Sequence, residues 1–591
     1  MRRNADVSIS SSPAGDLRRL GPFLRPYLWP ILFGTVCGIL GIAAELFPPL
    51  VWGYVVDKVI KSRQVSGLYR PVMLMAAVYL AGVALTAARR NVMEKAGQAF
   101  LFDLRNTVYR KLQRQSLAYF GEHRTGDLMA RVGGEIDTIQ EVVIRGTDAV
   151  VANALRLVGV AAIFIVLQWE LGLICLMPIV LVGIGLKLYN ARIKAMYRVS
   201  RARLGDVGAT LQDDLSGIRV IKAFAREDDE QENFERATQE YRLAQVKVIN
   251  LSTRFFPIVR YIAQWGQILM LGFGAYFIMV GRFTVGGLVT YRGYGRYFFG
   301  PIDDLMDIND TLQRASAAWG RVLEVLDAPE AITDAASAVG LANVRGEVRF
   351  DDVSFGYTAD RNVLEGVSFS AWPGRMVALV GTSGAGKSTV LNLVPRFWDV
   401  TGGRVLVDGN DVRNLTQASL RGALAIVQQD TFLFNDTILN NIRYGRPDAS
   451  AEDVEAAARM ANAHEFITEM PEGYDTVVGE RGVKLSGGQR QRISIARAFL
   501  TDPRILLLDE ATSAVEAESE WIIQAALERL MAGRTTIIVS HRMSMVRGAD
   551  EILVLDGGRI VERGRHGDLM AENGPYARMV NMQRGEPVDV A

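Results

Sequence analysis

Met376-Val377-Ala378-Leu379-Val380-Gly381-Thr382-Ser383-Gly384-Ala385-Gly386-Lys387-Ser388-Thr389 decides the reading of the carboxyl-terminal half. Its first five residues form an apolar run of strand length, and a helical pattern starts near Lys387. Between them stands the spacing Gly-x-x-x-x-Gly-Lys-Ser, the phosphate-cradling P-loop pattern in the strand-to-helix context it requires. The glycines let successive backbone N–H groups curl around an anion, and the helix N-terminus favours its charge. Lys387 is then expected to reach β- and γ-phosphate oxygens, and the Ser388 hydroxyl to ligate Mg²⁺. The residues expected to bind nucleotide here are Gly381, Thr382, Ser383, Gly384, Ala385, Gly386, Lys387, Ser388 and Thr389.

Working outward, Ile505-Leu506-Leu507-Leu508-Asp509-Glu510 is an apolar strand ending in two carboxylates. That order suits Asp509 to hold Mg²⁺ and Glu510 to act as base toward water. From about Gly346 onward, short β-branched runs such as Thr535 to Val539 alternate with helical patterns, which predicts an α/β sheet.

Between the P-loop and the carboxylates lies Leu485-Ser486-Gly487-Gly488-Gln489. With it the chain resembles the ATP-binding cassette (ABC) transporter family, of which this is the signature motif. The resemblance implies ATP and Mg²⁺ as cofactors, Ser486, Gly487, Gly488 and Gln489 as a second nucleotide-binding patch, and Tyr357 for adenine stacking. It further implies Gln429, in Gln-Gln-Asp, as a magnesium ligand and sensor of the membrane domain, and His541 at the γ-phosphate. Alone, Tyr357 would more often be a half-buried strand aromatic and His541 a satisfied core histidine; order and spacing reverse that preference. Thr476-Val477-Val478-Gly479-Glu480-Arg481-Gly482 resembles the segment by which exporter cassettes touch the membrane domain, against the plainer reading of a solvated charged loop. One departure stands out: Ser513-Ala514-Val515-Glu516 replaces the family's usual Ser-Ala-Leu-Asp, which bears on coupling between two sites.

Toward the amino terminus the composition changes character. Of the 591 residues 49% are hydrophobic and 22% charged, and the net charge is +1. Such a balance predicts segregated apolar and polar regions and speaks against a nucleic-acid partner. Apolar stretches at 27–56, 72–88, 150–167, 171–188, 255–280 and 285–299 predict six membrane spans. Nine Lys and Arg lie within 89–131 and twelve within 187–247, which predicts cytoplasmic placement of both. The external loops are short and poor in base, except 57–70, which holds four basic residues against the trend. The helix after the second span is expected to run on to about Gln115, and the fourth to about Gly217, both far beyond the hydrocarbon core. The two cysteines, Cys37 and Cys175, sit in apolar runs and read as buried small hydrophobes.

The expected organisation is multi-domain: an all-α six-helix transmembrane domain followed by an α/β P-loop nucleotide-binding domain. Its boundaries are 1–25 for a cytoplasmic amino-terminal segment, 26–326 for the transmembrane domain, 327–345 for a linker, 346–584 for the cassette and 585–591 for a tail. The first twenty residues lack the apolar run of a removable signal peptide. The family resemblance implies ATP-driven export or lipid flipping by alternating access in a bacterial inner membrane, by a homodimer, with a heterodimer as the alternative. An ATP-gated channel and a soluble ABC ATPase are the competing readings; both carboxylates disfavour the first and the spans disfavour the second. Basic residues in or near spans, Arg156, Arg292 and Arg296, are candidates to receive an anionic headgroup, with Tyr294 and Phe298 beside an apolar tail. The plainer alternative is that they pair with Glu45 or another carboxylate, or snorkel to the outer interface.

Overall fold

The computed structural model describes residues 19–63, 65–142, 147–358, 360–509, 517–540 and 542–584. These form two compact units, one comprising residues up to Leu112 with Gly126–Ala328, the other Gln113–Thr125 with Pro329 onward.

The first unit is helical. Helix α1 (Leu28–Leu46) buries Gly34, Cys37, Gly38 and Ile42 on one face and exposes Trp29, Leu32, Phe33, Val36 and Leu40 on the other. Small residues against neighbouring helices and large apolar ones outward are the pattern of a bundle solvated by lipid. Pro48 restarts the chain as α2 (Pro48–Tyr54), which passes into a π-helical turn at Val55–Ile60. Helix α3 (Tyr69–Gln113) has 45 residues, about 67 Å at 1.5 Å per residue, so it outreaches a hydrocarbon core of ~30 Å. The turn it leads into, including α4 (Leu117–Glu122), groups with the second unit, although sequence placed it undivided in the membrane half.

Helix α5 (Thr147–Ser216) runs for 70 residues but is broken at Gln168, where φ −162° and ψ 99° leave the helical region. The break falls in the gap between the apolar stretches 150–167 and 171–188. A break frees backbone carbonyls, which lipid cannot satisfy. Tyr291 serves them: its hydroxyl lies 2.5 Å from Phe164 O and 2.9 Å from Gln168 O, and its ring stacks on Phe164 at 4.1 Å. Tyr291→Phe should therefore lower stability by about 1–3 kcal/mol, the cost of an unsatisfied buried acceptor. An unchanged melting temperature in detergent would show that another group serves those carbonyls.

After Ser216 come the short α6 (Ile218–Ala223) and then α7 (Glu227–Met279), which packs antiparallel along the lower arm of α5. The seam reads Val182 with Val259, Tyr189 stacked on Phe255 at 4.4 Å, Ser200 bonded to Gln245 at 2.8 Å, and Arg203 paired with Glu240 at 2.9 Å. Helix α8 (Val285–Asp327) is capped by Thr284, whose hydroxyl accepts from Gly287 N. Four helical stretches among the described residues are long and apolar enough to cross a membrane: Gly21–Ile60, Val65–Gln113, Val151–Ser216 and Glu227–Met279. The third is interrupted by the Gln168 break, and α8, expected as the sixth span, is not among the four. Cys37 and Cys175 are free and buried, as expected.

The second unit carries two sheets. One is antiparallel in the order β2 (Leu364–Ala371), β1 (Val348–Phe355), β4 (Gly402–Val407), β5 (Asn410–Asp411). The other runs β10 (Arg559–Gly564), β9 (Glu551–Asp556), β3 (Met376–Gly381), β8 (Thr535–Val539), β7 (Ile505–Asp509), β6 (Leu424–Val427). Every neighbouring pair in it is parallel except β10 with β9. Val377 to Val380 and Ile505 to Leu508 are buried throughout, as strands covered on both faces must be, which is why they read as unbroken apolar runs.

Candidate functional site

The parallel strands end on one edge, where α/β sheets present their loops to ligands. From that edge β3 feeds the P-loop, β7 ends in Asp509, and β6 leads to Gln428 and Gln429. Pairing of Leu379 with Val539, and of Val539 with Asp509, puts the P-loop strand and the carboxylate strand in register on either side of β8.

The loop closes tightly enough to demand glycine. Gly381 has φ +151° and a side chain there would meet Leu555 O at 2.1 Å; Gly386 has φ +98° and would meet Leu364 at 2.7 Å. Helix α9 (Lys387–Leu393) starts directly after it. Lys387 is 6% exposed, and its Nζ donates to Gly381 O at 2.9 Å and Thr382 O at 2.8 Å. The Ser388 hydroxyl donates to Asp509 Oδ1 at 3.1 Å. A hydroxyl and a carboxylate side by side are hard oxygen donors of the kind Mg²⁺ takes together with phosphate oxygens, so this pair fits the ion the motif implies.

Tyr357 lies in the bend after β1, half-exposed, with its hydroxyl 3.1 Å from Thr389 Oγ1. Phe355 and Trp398 hold its ring edge-on at 4.9 and 5.3 Å. An aromatic face thus stands beside the P-loop helix. Trp398 was missed in the sequence, having no motif to mark it.

Gln429 is exposed at the end of β6. The loop around it is braced from α10 (Gly487–Thr501) by Gln491, which is 4% exposed, accepts from Thr431 Oγ1 at 2.6 Å and lies 3.4 Å from Gln428 O. Sequence reasoning also missed Gln491; the available signal was a lone amide among the apolar positions of that helix. Gln429, Asp430 and Phe432 share a cavity of about 700 Å³ with Glu480, Arg481 and Arg490. The segment Thr476–Gly482 is pinned rather than loose: Ile438 N donates to Thr476 O, Val478 N to Asp436 O, and Val478 is fully buried. The Asn440 amide and Thr437 N–H hold the Asp436 carboxyl below its ordinary range.

Ser486 and Gln489 form a reciprocal capping box at the start of α10: Ser486 Oγ accepts from Gln489 N at 3.2 Å, and Gln489 Oε1 accepts from Ser486 N at 2.9 Å. The signature is thus first a helix start, with Gly487 and Gly488 in its opening turn. A Ser hydroxyl that accepts can still donate its proton outward.

Glu510 and His541, and Glu516 with Ser513, lie outside the described residues, as do the side chains of Arg296 and Phe298. The other basic candidates part company. Arg156 is engaged by Glu45, with Nη2 2.9 Å and Nε 3.2 Å from Oε2, and also reaches Asn153. The ion-pair alternative therefore describes Arg156. Tyr294 is fully buried and donates to Leu46 O, so it is a packing residue of the bundle and not a surface for an apolar tail. Arg292 is exposed on α8 and lines a cavity of about 1200 Å³ together with Trp52, Tyr79, Gln264, Gln267 and Leu271.

Comparison with known proteins matches residues 31–302 to the ABC transporter transmembrane region and residues 364–513 to the ABC transporter cassette. A Bacillus subtilis protein named for multidrug export as an ATP-binding/permease protein is 38% identical over 96% of this chain and 99% of its own. An ATP-dependent lipid A-core flippase of Syntrophus aciditrophicus is 34% identical over 96% and 94%. The solved structure of a bacterial Atm1-family ABC exporter with ATP bound superposes with a TM-score of 0.79 at 33% identity, covering 96% of this chain and 99% of that one.

Proposed function

This chain belongs to the ABC transporter family and is an ATP-hydrolysing exporter embedded in a membrane; from that premise we propose that two copies close two ATP molecules, each with Mg²⁺, between their cassettes and carry an amphipathic anion out of a bacterial cell by alternating access. The observation that carries the nucleotide part is the Ser388 hydroxyl on Asp509 at 3.1 Å, at the strand edge where the P-loop begins. Lys387 holds the β- and γ-phosphate oxygens, Tyr357 stacks on the base, and Gln429 reaches the metal. Magnesium, when bound, neutralises phosphate charge. Glu510 takes the proton of the attacking water and His541 steadies the γ-phosphate. Ser486 and the first amides of α10 face the γ-phosphate held by the partner, the helix N-terminus favouring that anion.

A homodimer is supported by the full set of motifs on one chain and by α6, which buries none of its residues while Val220 and Phe224 stand 61% and 73% exposed. An inner-membrane orientation with the cassette and the amino terminus in the cytoplasm is supported by the basic stretches 89–131 and 187–247. Closure of the cassettes then tilts the bundle between inward- and outward-open forms through the turns near Arg124 and Ile218.

The anionic character of the cargo rests on Arg292. Among the described residues it makes no ion pair, and it stands in a largely apolar cavity, where an unneutralised guanidinium is costly unless something answers it. Arg292→Gln should weaken the apparent affinity for anionic amphiphiles that stimulate ATP hydrolysis by about tenfold or more, since a charge-assisted hydrogen bond contributes about 1.5–3 kcal/mol. Matched neutral and cationic amphiphiles should be unaffected. Unaltered selectivity in a folded variant would overturn this assignment.

A further inference from the structure

The stretch 57–70 breaks the charge rule that the rest of the bundle obeys: Lys58, Lys61, Arg63 and Arg70 stand there against the single carboxylate of Asp57. Packing sharpens the imbalance. Asp57 is spent on α8, where its Oδ1 accepts from Gly286 N at 2.8 Å, and a Cβ on Gly286 would lie only 2.4 Å from that carboxylate. Lys58, the next residue in the π-helical turn, lines a cavity instead, and Arg70 lines it from the start of α3. Among the described residues neither cation makes an ion pair, and no carboxylate lines the cavity. π-Turns of this sort recur at functional positions.

The cavity, of about 850 Å³, is graded along the helices. Its wall on the first span follows one helical face, with Phe47, Leu50 and Val51 at one end, Tyr54 in the middle, and Lys58 and Ser62 at the other. Opposite that wall the cavity is lined by Arg70 and Leu74 of α3 and by Ser66 in the turn before it. From Phe47 to Ser62 is about 22 Å of helix, enough for a headgroup and the upper part of an acyl chain. The basic end belongs to the end of the bundle that also holds the Gln168 break and the 280–284 turn, where Arg282 pairs with Glu170 at 2.8 Å. The face is also not that of Arg292, whose cavity uses Pro48, Pro49 and Trp52 on the other side of α2.

We propose that this groove between the first two spans binds the phosphate headgroup of an anionic phospholipid through Lys58 and Arg70, with an acyl chain along Phe47, Leu50 and Leu74. Charge alone fits any phosphate; the apolar half of the groove selects a lipid over a free anion. Arginine supplies a planar fork for phosphate oxygens and lysine a point charge, while Ser66 offers a further hydroxyl. Under the proposed orientation the lipid comes from the outer leaflet, and that clause alone rests on the reading above.

The test is native mass spectrometry of the full chain in detergent, titrated with phosphatidylglycerol, chain-matched phosphatidylcholine, and glycerol phosphate as the headgroup without its tails. Lys58→Gln with Arg70→Gln should weaken the tightest phosphatidylglycerol site by about tenfold or more, leave phosphatidylcholine binding and basal ATP hydrolysis unchanged, and be rescued by Lys58→Arg with Arg70→Lys. Glycerol phosphate should not compete. Phosphatidylglycerol binding equal to wild type, equal loss of both lipids, or competition by glycerol phosphate would each overturn the proposal. Should the double exchange fail to fold, Ser66→Asp, which sets a carboxylate at the basic end, should produce the same selective loss. Micelles have no leaflets, so failure here leaves the proposed orientation and export reading untouched.

Discussion

Glu510→Gln is expected to lower steady-state ATP hydrolysis by on the order of a hundredfold or more while ATP binding survives. The Asp509 carboxylate ends β7 beside Ser388, where the proposed function places a metal and a γ-phosphate. The next residue in the chain is a second carboxylate, and Asp509 already accepts from the Ser388 hydroxyl. An amide at 510 keeps shape and removes basicity, so water is no longer deprotonated although Lys387, Ser388 and Tyr357 still hold the nucleotide. ATP should then be trapped between closed cassettes. Near-normal turnover by the purified variant, measured as phosphate release, would take Glu510 out of the role.

Lys387→Ala should abolish turnover on its own, and mixed with wild-type chains should depress activity further than dilution does. Lys387 is buried at the mouth of the loop, where its Nζ is held by the carbonyls of Gly381 and Thr382. Removing it leaves the phosphate charge unanswered at the loop, a loss of the size seen on deleting a preorganised donor, about 10²–10³ in rate. If both sites of a homodimer must work together, an equal mixture with random pairing should retain about a quarter of wild-type activity, the share of unmixed wild-type dimers. Retention of about half, falling linearly with the fraction of variant, would mean independent protomers. Co-reconstitution at fixed total protein, with ATP hydrolysis as readout, separates the two.

How much of the site could be read in advance varied with how local its causes are. The P-loop, the strand ending in Asp509 and the signature helix are each written within about ten residues, because a strand, a glycine-rich turn and a helix start have causes confined to adjacent positions. The break at Gln168 was legible for the same reason, as a short polar interruption between two apolar runs. Tyr357 was suggested by family order, but two of the groups that hold it, Trp398 and Thr389, lie more than thirty positions on. Gln491 carried no motif at all. The Ser486–Gln489 box adds a second role: two residues read as ligand contacts also bond each other, since a Ser three residues before a Gln is also a helix start.

The membrane half divides along the same line. Residue order alone established where apolar runs lie, which loops are basic, and that α3 and α5 must extend past any bilayer, because hydropathy and rise per residue act one segment at a time. It could not choose between an arginine that waits for an anion and one already answered. Arg156 meets Glu45 across 111 positions of chain, and Tyr294 meets Leu46 across 248. Those contacts exist only because α1, α5 and α8 pack side by side. The same holds for Asp57, drawn to Gly286 and away from Lys58 by a contact 229 positions distant. A charge in an apolar bundle takes its meaning from its nearest partner, and distance in space is fixed by packing, which no single segment encodes.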